Sequence, residues 1–194
     1  SDIPALPVGI RHIQLPERLF ESVSTQKSPQ GVIFTAGIPV PPDLPKDGRF
    51  VVLDGVQDPG NLGTVMRTAA AMGLDGVFLC GGCADAFSYK TVRASMGAVF
   101  RVPAYEYSID ELGSFLAERD LTLLAGMPAG ESLDVRCVDW STNVAVVGSE
   151  GQGVSNGVLK LAGGSFRIPM AAGTESLNAA VAAAIIMWEM SKKR

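Results

Sequence analysis

The sequence predicts an α/β fold on a mostly parallel sheet with helices on both faces, and three observations carry that prediction. From residue 50 onward, short apolar runs bounded by glycine alternate with amphipathic stretches of ten or more residues. Within the runs the apolar residues follow one another instead of alternating with polar ones, as strands covered on both faces require. The 194-residue chain is 47% hydrophobic and 19% charged, enough apolar material for one domain with a real core.

Taken in order, residues 1–30 are mixed and polar and lead into Gly31-Val32-Ile33-Phe34-Thr35-Ala36, a plausible strand. A linker follows, because Pro39, Pro41, Pro42 and Pro45 each remove a backbone donor and restrict the residue before them. Strands are then expected at residues 50–53, 76–80, 100–103, 121–125, 144–148 and 165–168. Between the first two, a helix over residues 61–73 carries Leu62, Val65, Met66, Ala69 and Ala70 on one stripe and ends at a glycine cap. Arg67 lies about 140° round the helix from Leu62, on the side of Thr64, so core packing does not account for it. The last helix, from Ser176 to about Met190, has one apolar stripe of Leu177, Ala180, Val181, Ala184, Ile185 and Trp188 and a second of Ala179, Ala183, Ile186 and Met190. One domain usually covers only one such face, so the second implies a subunit interface and a homodimer.

Several function classes fall away. No apolar run approaches the roughly 18 residues that span a bilayer, and Ser1-Asp2-Ile3-Pro4 does not open a secretory leader, which places the chain in the cytoplasm. Three cysteines, Cys80, Cys83 and Cys137, fit a reducing compartment better than a disulfide framework. Cys80 and Cys83 have CxxC spacing, but no second pair follows and His12 is the only histidine, so no metal is expected. The net charge of −4 opposes nucleic-acid binding by bulk electrostatics and requires any RNA affinity to sit in a local patch or an additional domain.

Three loops at strand ends carry the chemistry. In Asp58-Pro59-Gly60-Asn61, a Pro-Gly turn opens the first helix, whose N-terminus can receive an anion while Arg67 offers a bidentate fork to phosphate. In Gly148-Ser149-Glu150-Gly151-Gln152-Gly153, three glycines let a ligand approach the backbone and Glu150 stands at the mouth. The GxGxxG of a dinucleotide-binding oxidoreductase is absent. The third loop runs from Ile168-Pro169-Met170 through small residues to Glu175-Ser176-Leu177-Asn178. Ser176 reads equally as a helix N-cap, and Asn178, inside the expected first turn, is a poor helix former placed for another reason.

In chain order these loops read PGNxGxxxRTA, GSEGxG, and IPM with ESLNxxVA, and Lys90-Thr91-Val92-Arg93-Ala94-Ser95-Met96-Gly97-Ala98 between the first two has the form KxxRASxGA. The set closely resembles the signature motifs of the SpoU/TrmH family of S-adenosylmethionine-dependent RNA 2′-O-ribose methyltransferases, in the SPOUT superfamily, over residues 48–190. The resemblance implies a C-terminal deep trefoil knot within a methyltransferase domain at 48–194. It also implies that residues 1–37, with Ser28-Pro29-Gln30-Gly31, are the tail of an auxiliary RNA-binding domain. It implies S-adenosylmethionine held by the loops around Leu124, Ala125, Gly126 and Met127, around Gly148, Ser149, Gly151 and Gly153, and around Ile168, Met170, Ser176 and Leu177. The catalytic positions it marks are Arg67, Asn61, Glu150, Ser176 and Asn178, with ribosomal or transfer RNA as substrate. Arg67 matches an arginine often drawn in the family as general base. Because a guanidinium offers donors and no acceptor, Arg67 reads instead as gripping the target phosphate, with Glu150 and Asn61 bracing it and Ser176 and Asn178 ordering the knot loop or binding substrate. Rival classes are a SPOUT base methyltransferase and a cofactor-binding RNA-interaction protein without turnover.

Overall fold

A computed structural model describes residues 9–26, 28–127 and 132–192. It divides into two units, residues 1–38 and 39–194. In the first, one helix, α1 (Glu17–Val23), buries none of its residues. The strand expected at residues 31–36 does not form, and Val32, Ile33 and Phe34 are exposed. An extended segment becomes a strand only when a neighbour takes its backbone hydrogen bonds, and none pairs with it among the described residues.

The second unit is built on seven strands: β1 (Phe50–Asp54), β2 (Gly76–Cys80), β3 (Ala104–Glu106), β4 (Thr122–Gly126), β5 (Leu133–Asp134), β6 (Asn143–Gly148) and β7 (Gly164–Arg167). They lie in the order β3-β2-β1-β6-β4-β7-β5, and every pairing is parallel. The strand expected at 100–103 is displaced to β3. Gly97 in the left-handed region starts a 3₁₀ turn at Ala98–Phe100, and Pro103 has no N–H to give, so only its carbonyl joins the ladder, accepting from Val77. The two-residue β5 was too short to leave a pattern.

Alternate side chains of each strand enter two cores. Val51, Leu53, Val77 and Val147 face one side, where α2 (Pro59–Met72) and α6 (Ala179–Ser191) supply Leu62, Met66, Ala183 and Ile186. Phe50, Val52, Phe78 and Val146 face the other, against Phe115 and Leu116 of α4 (Ile109–Glu118) and Val158 of α5 (Asn156–Leu159). There the rings of Phe50, Phe78 and Phe115 meet at centroid separations of 5.5, 5.4 and 4.6 Å. Burying each contributes about 2–3 kcal/mol.

Helix α2 starts on the side chain of Asp58, which accepts from the Asn61 amide, and stops at Gly73 in the left-handed conformation. Helix α6 starts at Ala179, three residues later than the sequence suggests. Asn178 lies outside the helix as its N-cap, its Oδ1 accepting from the amides of Ala180 and Val181. Of the two stripes of α6, Ala179, Ala183, Ile186 and Met190 are in the core, joined by Ala180 and Met187. Val181 and Trp188 of the other stripe are 48% and 53% exposed. Among the described residues no helix is long and apolar enough to cross a membrane.

Candidate active site

Parallel pairing brings the three informative loops to one edge of the sheet. Asp54 at the end of β1 is in register with Gly148 at the end of β6, so the chain leaves both strands side by side. The sheet runs away from β1 in opposite directions through β2 and β6, the place where open α/β sheets offer a crevice. Asp54 is buried, and its Oδ2 accepts from the Ser155 amide at 2.6 Å, fixing the far end of the loop that follows β6.

That loop is tight. Ser149 and Gly153 exchange backbone hydrogen bonds of 3.2 and 2.9 Å, and a Cβ on Gly148 would overlap the backbone of Gly153. The turn projects Glu150 outward, where its Oε1 accepts a short hydrogen bond from Nδ2 of Asn61 in the first turn of α2. The Asn61 Oδ1 in turn accepts from Nδ2 of Asn178 at 3.1 Å. Glu150, Asn61 and Asn178 therefore form one chain across all three loops. Arg67 is exposed and makes no hydrogen bond or ion pair with any described residue. The bracing of Arg67 by Glu150 and Asn61 is not present in this structure, because both side chains are already engaged with each other.

Behind this chain lies a cavity of about 250 Å³, near the lower limit of roughly 300 Å³ for small-molecule pockets. Gly126, Met127, Gly148, Ser149, Gly153, Ile168, Met170, Ser176 and Leu177 line it, together with Glu150. Leu124 and Ala125 do not: they are buried inside β4, one in each core. Gly151 sits at the exposed loop tip and is also outside. Ser176 lines the cavity instead of capping a helix. Val147, Phe166, Ala179, Ala182 and Ile186 complete the wall. The first two lie within the strands expected at residues 144–148 and 165–168; the α6 residues carry the same apolar pattern as core and leave no separate signal. Mostly apolar walls, glycine backbone and a few polar groups at the rim suit a flat heteroaromatic ring and a thioether arm.

The CxxC pair does not line this cavity. Burial, followed by the nearby Asp54 carboxylate, pushes the Cys80 thiol up to about 12. The Cys83 thiol donates to the carbonyls of Cys80 and Leu53 at 3.1 and 3.4 Å. Among the described residues no three His, Cys, Asp or Glu side chains gather as a metal site would require.

Residues 48–188 match the model of the SpoU rRNA methylase family. The chain belongs to that family. With membership comes the class of chemistry, RNA methylation with S-adenosylmethionine as methyl donor. The chain is 36% identical over 191 residues to the Bacillus subtilis 23S rRNA (guanosine(2553)-2′-O)-methyltransferase RlmP, covering 95% of itself and 74% of that protein. It is 36% identical over 145 residues to a Synechocystis protein named as an uncharacterized tRNA/rRNA methyltransferase, of which it spans 53%. Among solved structures, an AdoMet-bound rRNA methyltransferase from Sinorhizobium meliloti superposes with a TM-score of 0.80 at 34% identity, over 91% of this chain and 70% of that one. A TrmH-family RNA methyltransferase from Porphyromonas gingivalis gives 0.82 at 33% identity, over 94% and 74%.

Proposed function

We propose that this SpoU-family chain transfers the methyl group of S-adenosylmethionine to a ribose 2′-hydroxyl of structured ribosomal or transfer RNA. The observation that carries the reading is the Glu150–Asn61–Asn178 chain, which ties the loops of three motifs together at the mouth of an apolar cavity. The Bacillus subtilis relative, named as a 23S rRNA 2′-O-methyltransferase, supports ribose over base as the target.

When bound, S-adenosylmethionine supplies an electrophilic methyl on a sulfonium. The backbone of Gly148, Ser149 and Gly153 and the side chains of Ile168, Met170 and Leu177 would hold it, with Ser176 at the rim. The reaction forms an oxygen–carbon bond at the 2′-oxygen as the carbon–sulfur bond breaks, and the hydroxyl proton must leave. Arg67 does not take it, since a guanidinium offers five N–H donors and no acceptor. Its role is to hold the target phosphate and orient the hydroxyl in line, with that phosphate or a water as proton acceptor. With no hydrogen-bond or ion-pair partner among the described residues, its donors are available to substrate.

Four further readings belong to this proposal. The C-terminal part of the chain threads through a loop to make the deep trefoil knot of the SPOUT fold. The chain forms a homodimer through α6, whose Val181, Ala184, Ile185 and Trp188 line an open apolar groove of about 410 Å³ beside Asn61 and Asn178. Residues 1–37 are the tail of an auxiliary RNA-binding domain, and the protein works in the cytoplasm.

The test is transfer of tritiated methyl groups to total RNA from a strain lacking the gene. Label should survive alkaline hydrolysis in dinucleotides, because a 2′-O-methyl group blocks cleavage at that position. Label on bases alone would assign the chain to a base-methylating branch, and no label despite cofactor binding would leave a non-catalytic RNA-interaction protein.

A further inference from the structure

An acidic chain that acts on RNA must place its positive charge locally, and one segment does so. Residues 86–105 contain no acidic residue, while Lys90, Arg93 and Arg101 are all exposed in a chain of net charge −4. The segment folds as α3 (Tyr89–Ala94), a turn through Met96 and Gly97, and the 3₁₀ turn at Ala98–Phe100.

Its large apolar side chains point outward. Tyr89, Met96 and Phe100 are 42%, 70% and 49% exposed, while Thr91, Ser95, Ala98 and Val99 supply the buried side. Exposing two rings and a methionine in so short a segment is unfavourable unless a partner covers them. The rings are also held in place. Arg93, one turn after Tyr89, donates from Nη1 to the tyrosine hydroxyl at 2.9 Å, and its guanidinium carbon stands 5.5 Å from the ring centroid. Phe100 packs at 6.3 Å against Phe87, which precedes α3, so the two ends of the segment are drawn together.

The segment adjoins the site. A Cβ on Gly63 would overlap Ala94, so α3 crosses α2 at backbone distance on the turn between Asn61 and Arg67. A nucleic acid held by Arg67 has α3 as its neighbour.

We infer that Tyr89, Lys90, Arg93, Phe100 and Arg101 form a platform for an unpaired stretch of RNA flanking the methylated nucleotide. The inference rests on the RNA methyltransferase reading. The cations neutralise phosphates, and the aromatic faces stack on bases, which they can reach only where the RNA is unpaired. The Tyr89–Arg93 pair presents ring and guanidinium already in position, which lowers the ordering cost of binding. This deepens the proposed function by naming the substrate as a loop, bulge or opened junction.

The experiment uses the full-length protein with two probes: a short fluorescein-labelled, mixed-sequence single-stranded RNA, and a duplex of the same length. Tyr89→Ala should weaken single-strand binding and raise KM for RNA by about tenfold, the scale of one lost stacking contact. Tyr89→Phe should keep the ring and restore binding, and S-adenosylmethionine affinity should not change in either. Lys90→Gln with Arg93→Gln should lower the slope of log affinity against log salt by about two. Undiminished single-strand binding in Tyr89→Ala, or an equal loss on duplex and single strand, overturns the platform. If such a variant still yields 2′-O-methyl label in total RNA, only the platform falls. If the wild type binds the single strand through Tyr89 but transfers no methyl group, the platform stands and the enzymatic reading falls.

Discussion

Asn178 donates from Nδ2 to Oδ1 of Asn61 at 3.1 Å, joining two residues 117 positions apart. The same Asn178 accepts, through Oδ1, the first free amides of α6. One side chain thus starts a helix with its oxygen and ties two loops with its nitrogen.

The two roles separate by substitution. Asn178→Asp keeps the capping oxygen and loses the donor to Asn61, so chemical denaturation should change by no more than ~0.5 kcal/mol. Methyl transfer should fall about tenfold, the value of one hydrogen bond. Asn178→Ala loses both and should cost about 1 kcal/mol of stability in addition. Equal activity in Asn178→Asp and wild type would show that the tie to Asn61 does not position the site.

Two glycines of one loop predict opposite outcomes. A side chain on Gly148 would overlap the backbone of Gly153, whereas Gly151 has open space around it. In calorimetric titration Gly148→Ala should weaken S-adenosylmethionine binding by about tenfold or more, equivalent to about 1.4 kcal/mol. Gly151→Ala should bind as the wild type does. Loss of binding in Gly151→Ala would return that residue to the cofactor contacts from which its exposed position removes it.

Much of this was legible in the sequence because it rests on local chemistry. The apolar runs of β1, β2 and β6 are continuous because both cores claim them, and Gly73 marks the end of α2 because only it takes the left-handed turn without strain. The start of α6 was misplaced because Asn178 sits in an apolar, alanine-rich stretch that reads as helix from Ser176. Its role as cap depends on where the backbone turns, which residue type alone does not settle. The family resemblance implies Leu124 and Ala125 as cofactor contacts, but both are buried within β4, and only its end at Gly126 and the following Met127 line the cavity. The Asn61–Glu150 contact spans 89 residues and follows from the β1–β6 register, which no local pattern encodes.

The exposed face of α6 predicts association. Trp188→Glu places a charge in the open apolar groove shared with Val181, Ala184 and Ile185. Sedimentation at micromolar concentration should change from dimer to monomer, with little loss of fold because the core stripe of α6 is untouched. A wild-type monomer that methylates RNA would remove the interface from the proposal.

The last prediction concerns Arg67, which is exposed and makes no hydrogen bond or ion pair with the described residues, while Glu150 and Asn61 bind each other. Arg67→Lys keeps the positive charge but loses the planar fork that can grip a phosphate through two parallel hydrogen bonds. Because Arg67 is exposed and no hydrogen bond or ion pair among the described residues is lost, stability should stay within ~0.5 kcal/mol of wild type, and S-adenosylmethionine affinity should be unchanged. Methyl transfer should fall by at least about a hundredfold, the scale of a lost substrate-positioning contact. If Arg67 provided only long-range attraction, lysine would serve as well, and the variant would lose neither turnover nor its salt dependence. Near-normal turnover in Arg67→Lys at moderate salt therefore rules out phosphate positioning as the task of this residue.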